Sequence, residues 1–362
     1  MKPARQPHRF GSKPDTDVAP AFRFLAAGLV WGYTLFVMGW FLGYLVTGDR
    51  FWLWAVLNSF PVLLFLPLPV AFLLAAISRK RAAWFAVCIP VALWLALFGW
   101  RYLPRGLQAE ATGPELRVMA FNILVTNRDV EAIAGAVEAA QPDLIAFSEL
   151  RADMDPALAQ RLGATYPYRT VQRLPGASFG SGIYSRWPLE ELGSLKTGLG
   201  LRSAAADVHT PDGTVRFVAL HPRSTWLDRS SLGAAEASIA ENFRGREAQL
   251  TAVCRYIDQW GDRPLILAGD FNTSEFSDAY RCLAQRLRDS YREIGWGTGH
   301  TWPAQQTKHV PSRWLEVLAP VTRIDYVFHS RHWDAVEAQV LKLNTGSDHR
   351  PVVTTLRWTD GG

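Results

Sequence analysis

Three stretches, residues 24–48, 51–78 and 82–100, contain no Asp, Glu, Lys or Arg. Each can cross a bilayer, which takes about 20 apolar residues in a helix. Three such runs within the first hundred residues are poorly explained as buried core helices. They exclude a purely soluble, a disordered or a disulfide-built chain. The first, Phe24–Val46, is too long for a signal-peptide core, and no small-residue cleavage site follows, so it is expected to be retained. Pro61, Pro67 and Pro69 in the second run and Pro90 in the third predict kinks. Trp31, Trp40, Trp52, Trp54, Trp84 and Trp100 lie mostly near run ends, where interfacial aromatics belong.

Charge is informative only when divided. The whole chain carries a net +5, but residues 1–105 hold +8 of it and residues 106–362 carry −3. The basic character therefore belongs to the membrane-flanking part, and the remainder lacks the bulk positive charge of a strong nucleic-acid binder. Lys2, Arg5, Arg9, Lys13 and Arg23 precede the first run, and Arg79, Lys80 and Arg81 separate the second from the third. Only Arg50 lies between the first two runs, and Arg101 and Arg105 follow the third. The cation bias predicts a cytoplasmic tail (1–23) and second loop. An odd number of spans (24–101) then places everything beyond them outside the cytoplasm, in the cell membrane's outer compartment.

Residues 102–115 read as a polar linker with Pro and Gly, and residues 116–362 as one large domain. Strands are expected at Leu116–Asn122, Leu144–Phe147, Gly182–Ser185, Ala204–His209, Val215–His221, Leu265–Gly269, Arg323–Phe328 and Val352–Trp358. Helical spacing covers Asp129–Ala140 and Ala235–Trp260. Many strands with few helices suggest an α/β fold of two packed sheets with helices outside. Three cysteines form neither a disulfide framework nor a metal-ligand spacing. Cys254 and Cys282 can pair only if the fold brings them together, and the expectation is that they are buried small apolar residues.

The polar residues at strand ends carry the chemistry. Asn122 ends RVMAFN, Glu149 follows DLIAFS, and His221 follows VRFVAL. Asp270 and Asn272 lie in GDFN after LILAG. Asp325 sits inside RIDYVF, and Asp348 and His349 form SDHRPV before the last strand. Singly each has an ordinary reading: an Asp-x-Asn is usually a turn, and a strand-end Glu is usually solvated. In this order, each on its own strand end, they suggest one convergent polar site.

That ordered set resembles the endonuclease/exonuclease/phosphatase superfamily, from about Leu116 to Trp358. The resemblance implies a four-layer α/β/β/α sandwich preceded here by three transmembrane helices. It also implies divalent-metal-dependent phosphoester cleavage by direct water attack. By the same resemblance Glu149 is the principal metal carboxylate, with Asn122 beside it and Asp348 near the metal or leaving group. Asp270 would orient and deprotonate the water, and Asn272 would hold Asp270 and the phosphate. His349 would contact the phosphoryl oxygen with Asp325 orienting it, and His221 would be a second imidazole. Oxygen ligands suit Mg²⁺, with Mn²⁺ as the alternative. Arg186, in GSGIYSRWP, either reaches phosphate or pairs on the surface. Asn127, within NILVTN, is expected to line the site.

Ser148 stands where abasic-site nucleases carry Gln. GTGHTWP (297–303) and the three spans resemble a membrane-anchored bacterial branch that includes phosphatases associated with glycopeptide resistance. This implies a lipid-linked phosphate or pyrophosphate substrate, such as undecaprenyl pyrophosphate, and the bilayer itself as the principal partner. Tethering raises the effective concentration of a membrane-bound substrate and does little for a soluble polymer. Trp296, Trp302 and Trp314 are either ordinary loop aromatics or an interfacial anchor. The alternatives are an extracytoplasmic nuclease or phosphodiesterase, and a non-enzymatic envelope scaffold, against which the intact set argues. No feature points to a protein partner.

Overall fold

The structure, a computed structural model, describes residues 18–103, 113–225, 228, 230–304 and 321–359. The linker and Trp314 lie largely or wholly outside the described residues. Helices α1 (Val18–Thr47), α2 (Trp52–Ser59), α3 (Leu68–Ser78) and α4 (Arg81–Phe98) come first. There follow β1 (Glu115–Asn122), α5 (Val130–Ala140), β2 (Leu144–Arg151), α6 (Asp155–Leu162), β3 (Tyr168–Arg173) and β4 (Phe179–Ser185). Then come β5 (Leu189–Gly193), β6 (Arg202–Thr210), β7 (Gly213–His221), α7 (Leu232–Trp260), β8 (Leu265–Asp270) and α8 (Asp278–Ala284). β9 (Arg288–Asp289), α9 (Ser290–Ile294), β10 (Asp325–His329), β11 (Trp333–Val340) and β12 (Val352–Trp358) complete the order.

The chain divides into two compact units. The first comprises the residues up to Gly39 with Phe65–Leu95. Its helices meet through small side chains, Ala27, Ala71, Ala75, Ala83 and Ala86 with Val30 and Val87. Small residues let helix backbones approach closely where lipid supplies no hydrophobic drive. Thr34 adds a 2.9 Å hydrogen bond to the Ala86 carbonyl. Leu25, Leu29, Phe36, Leu73 and Phe85 point outward. Three helices, Pro20–Thr47, Pro61–Ser78 and Arg81–Tyr102, are long and apolar enough to cross a membrane. The second apolar run is therefore not one helix: α2, a 3₁₀ turn at Pro61–Phe65 and α3 share it. The run is interrupted where Pro61 and Pro67 remove backbone donors.

The second unit, Trp40–Leu64 with the residues from Ala96 on, holds two six-stranded sheets. Their orders are β11-β12-β1-β2-β4-β3 and β5-β6-β7-β8-β10-β9. β1 with β2 and β7 with β8 pair parallel, and the other neighbours pair antiparallel. Side chains alternate across each strand, so both faces of the central strands are apolar. Val118, Ala120 and Ala146 of one sheet meet Ala206, Phe217, Ala219 and Ala268 of the other. Met119, Phe121 and Phe147 face α5 and α6, while Val218, Leu267 and Phe328 face α7 and α8. The result is the expected α/β/β/α sandwich. Helix starts are capped: Asp129 accepts from Ala132 N–H and Ser231 from Ala234 N–H.

Cys254 in α7 and Cys282 in α8 form a disulfide, with Cα atoms 6.4 Å apart. This corrects the expectation of two merely buried small residues. Their separation of 28 residues in sequence hid the packing of α8 against α7 that brings them together.

Candidate active site

Parallel pairing of β1 with β2 and of β7 with β8 brings four C-terminal strand ends to one rim. Asn122 and Ser148 are register partners across the first pair. In the second sheet Asp325, the first residue of β10, lies opposite Asp270, the last of β8. The loop before β12 delivers Asp348 and His349 to the same place. The two sheets thus supply one cluster from six strand ends.

Local backbone irregularity aims several of these groups. The β2–β4 register slips between Phe147 and Leu150, a bulge that contains Glu149. Glu149 has φ +61° and Asn272 φ +52°, the left-handed region that costs a non-glycine residue about 1 kcal/mol or more. Gly269, at φ +139°, lets β8 approach β7, since a Cβ there would sit 2.1 Å from the Leu220 carbonyl oxygen. Glycine alone fits this position, immediately before Asp270.

The hydrogen bonds tie the cluster together. The Asn122 amide donates to Asp270 Oδ2 at 2.9 Å and to Glu149 Oε1 at 3.2 Å. Its Oδ1 accepts from Leu124 N–H. Glu149 Oε2 accepts from Val125 N–H at 2.6 Å. Asp270 Oδ1 accepts from the backbone N–H of Asn272 at 2.8 Å. The Asn272 side chain bonds the Pro222 carbonyl instead, so Asn272 holds Asp270 through its main chain. His349 Nδ1 meets Asp325 Oδ2 at 2.9 Å, and its Nε2 lies 3.8 Å from Asp270 Oδ2 and 4.0 Å from Asp348 Oδ1. His221 Nε2 is 3.7 Å from both Glu149 Oε1 and Asp270 Oδ2.

Two expected members stand apart. Arg186 follows β4, whose antiparallel register puts it at the opposite end of β2. There it bonds the Pro142 carbonyl and pairs with Asp143 at 3.4 Å, which realises the surface-pairing reading. Asn127 is buried, but its amide fastens the Thr345 carbonyl and accepts from Asp129 N–H. It supports the loop preceding Asp348. Sequence reasoning gave no role to Ser347, whose hydroxyl donates to the Asn122 carbonyl and accepts from His349 N–H. Ser148 Oγ accepts from Asp270 N–H, and Thr301 Oγ1 accepts from Asp325 N–H. Trp302 Nε1 donates to Asp348 Oδ2 at 3.1 Å, so Trp302 belongs to the site's wall, while Trp296 is exposed. Small hydroxyls carry no signal in one sequence, because their partners are distant in the chain.

Burial sets the electrostatics. Asp270 is 1% exposed and its carboxyl is pushed up to about 6, first by burial and then by Asp325, against His349 and His221. For His349, burial opposes the charge, but Asp325 and Asp270 outweigh it and raise the imidazole to about 10. Burial keeps His221 below its ordinary value despite both neighbouring carboxylates. Glu149 stays below the usual range: burial acts against its ionisation, and His221, the Val125 N–H, His349 and Asn122 overcome it. The arrangement therefore pairs a protonated His349 with an acceptor carboxylate, as phosphoryl charge stabilisation and water activation require.

The donor set also fits a hard divalent cation. Asp270, Asp325 and His349 each bring a donor atom within 4.8 Å of the others. Asp325 and His349, however, spend theirs on each other. The side chains of Glu149 and Asp348, 16% and 10% exposed, are the carboxylates within reach of solvent. Among the described residues, Asp348 Oδ1, Asp325 Oδ1 and both ring nitrogens of His221 are buried without a hydrogen-bond partner. Native proteins rarely leave such groups unsatisfied, so a charged ligand among them is physically reasonable.

The model of the endonuclease/exonuclease/phosphatase family matches residues 119–349. Solved structures share the fold. An endonuclease/exonuclease/phosphatase from Beutenbergia cavernae DSM 12333 is 23% identical with TM-score 0.52, covering 68% of this chain and 72% of its own. Truncated Caenorhabditis elegans TDP2 is 17% identical with TM-score 0.50, covering 70% and 100%. Sphingomyelinase C from Streptomyces griseocarneus is 18% identical with TM-score 0.47, covering 67% and 99%. No curated protein sequence matches the chain. With most of the sandwich and the whole strand-end cluster inside the matched span, the chain belongs to the endonuclease/exonuclease/phosphatase family.

Proposed function

We propose that this protein is a membrane-anchored, divalent-metal-dependent phosphoester hydrolase that acts by direct water attack on a lipid-linked phosphate or pyrophosphate at the outer membrane face. Glu149 and Asp348, with Asn122 beside them, would hold the ion, Mg²⁺ or Mn²⁺, which would neutralise charge on the phosphoryl group. Asp270 takes the proton of the attacking water, held in line by Asn122 and the Asn272 main chain. His349 donates from Nε2 to a phosphoryl oxygen, with Asp325 fixing its tautomer through Nδ1. His221, neutral between Glu149 and Asp270, completes the polar wall.

The observation that carries the lipid reading is the loop after α1. Asp49 Oδ2 accepts from Asp278 N–H at 3.0 Å, and Asp278 Oδ2 accepts from Asp49 N–H at 2.9 Å. Asn58 bonds Asp49, its carbonyl accepts from Ser274 Oγ, and Trp52 bonds Glu236. The segment between the first two apolar helices is thus built into the catalytic unit, which supports a catalytic site held at the bilayer surface. The cation bias of the tail and of Arg79–Arg81 supports an outer location, as does a disulfide, which persists in oxidising compartments.

The test is metal-dependent turnover by the detergent-solubilised full chain, with Glu149→Ala as control. Undecaprenyl pyrophosphate, a phospholipid and a DNA duplex would be compared. Phosphate release from the pyrophosphate lipid, lost in the variant, is the expected result. Cleavage of DNA alone would make the protein a tethered nuclease, and no Glu149-dependent turnover of any of the three would leave a scaffold.

A further inference from the structure

A cavity of about 580 Å³ lies beside the catalytic cluster, not on it. Asp49, Arg50, Arg244, Arg246, Arg255 and Thr273 help to line it. One wall is the loop just beyond Thr47, where the first apolar helix ends. The other reaches Thr273, the residue after Asn272. It therefore links the loop after the first apolar helix to the residue next to Asn272.

Its charge is unbalanced in a way that calls for an anion. Arg246 is 3% exposed. Its guanidinium donates to Thr225 Oγ1 at 2.8 Å and the Arg223 carbonyl at 3.4 Å, and lies over the Phe243 ring. Among the described residues it has no carboxylate within 4.0 Å. A buried guanidinium without a counter-ion is costly. Burial pulls Arg246 down to about 10, and the more distant Asp49, Asp270 and Glu247 offset this only in part. Arg50, Arg244 and Arg255 are exposed and likewise form no ion pair among the described residues.

The acids in the lining do not cancel these charges. Asp49 and Asp278 are engaged with each other's backbone, and Asp49 also accepts from Asn58 and Asp278 also pairs with Arg281. Glu247 is pushed above the usual carboxylate range, first by burial and then by Asp49. Leu199 and Phe243 add apolar wall, which an inorganic anion does not need.

We propose that this cavity binds the phosphate-bearing headgroup of a membrane lipid, with Arg246 as its buried counter-charge and Arg50, Arg244 and Arg255 at its rim. Guanidinium forks match phosphate oxygens bidentately, so lysine is no substitute. The site would guide the lipid from the bilayer to the rim carrying Asp270. This inference rests on the lipid-linked reading of the substrate and adds where such a substrate is first held.

Binding is measured separately from turnover. The full chain carrying Glu149→Ala is placed in phosphatidylcholine nanodiscs, and binding of a polyprenyl pyrophosphate incorporated in the discs is titrated. Saturable binding is expected, weakened about tenfold or more by Arg246→Lys. The exposed pair Arg244→Ala/Arg255→Ala should weaken it too, which guards against a folding defect at the buried position. Inorganic pyrophosphate is the second probe. Equal or tighter binding of that probe, with the same arginine dependence, would overturn the lipid assignment. Lipid binding undiminished in both variants would overturn the site. Arginine-dependent lipid binding by a chain whose wild-type form hydrolyses no lipid would uphold the cavity and remove the catalytic reading instead.

Discussion

Asp270 is fully buried between Asp325 and two imidazoles, with its carboxyl raised from 3.8 to about 6. A carboxyl raised in the folded state favours folding while protonated. That contribution is complete below 3.8 and lost as pH rises through about 6. In metal-free protein, Asp270→Asn is therefore expected to raise Tm at pH 8 by at least about 2–4 °C, the shift for each 1 kcal/mol in a domain of this size, and to leave it unchanged at pH 3. Turnover should vanish at both. Calorimetry in chelator checks this, and a less stable Asn variant at pH 8 would show that the carboxylate's partners outweigh its burial. Asp325 acts through His349, whose imidazole stays charged to about 10 because of it. Asp325→Asn should lower kcat by about 10²–10³ and move the basic limb of the kcat/KM profile to lower pH. An unshifted limb would remove Asp325 from that role. At this scale the charged and imidazole members were legible, because their residue types announce chemistry. Ser148, Ser347 and Thr301 were not, since a hydroxyl acquires meaning only from a partner far along the chain. Arg186 stayed open between phosphate and surface pairing because alternation along β4 says nothing about which end of the sheet carries the site.

The strands tell the same story in their own way. β1, β2, β4, β6, β7, β8, β10 and β12 were all expected, as apolar runs buried on both faces. The strands without a sequence signal, β3, β5, β9 and β11, are the four sheet edges. Edge strands are exposed along one side, so YRTVQR, LEELG and WDAVEAQV carry polar residues that mask the period of two. Gly269→Ala tests how closely β8 must approach β7. With a Cβ 2.1 Å from the Leu220 oxygen, it should cost about 3 kcal/mol or more, read as a lower urea midpoint. A midpoint unchanged from wild type would mean the strands can separate freely. The Cys254–Cys282 bond joins α7 to α8 across 28 residues. Cys254→Ser/Cys282→Ser should cost about 3 kcal/mol, while turnover at 25 °C persists because neither helix supplies a residue of the strand-end cluster. An equal midpoint for wild type and variant, in protein purified without reductant, would show that the bond does not form.

For the whole molecule, topology and metal dependence are the decisive measurements. A reporter phosphatase that folds only outside the cytoplasm should be active when fused after Tyr102 and inactive when fused after Lys80. The reverse pattern would invert the orientation. Chelation should abolish turnover, and Mg²⁺ or Mn²⁺ should restore it, since carboxylate oxygens rather than thiolates line the strand-end cluster. The sequence by itself determined the apolar spans, the layered α/β class and the order of the polar groups at the strand ends. Each depends on local properties: run length without charge, period-two alternation, and polar residues ending apolar strands. Only the tertiary structure decided that six strand ends from two sheets converge on one rim. It also decided that a bulge and left-handed backbone aim Glu149, that α7 and α8 bring Cys254 to Cys282, and that Asp49 joins the first apolar loop to the catalytic unit. Those facts depend on contacts between residues far apart in the chain, such as Asp49 and Asp278, and no local pattern encodes which distant partner a side chain will meet.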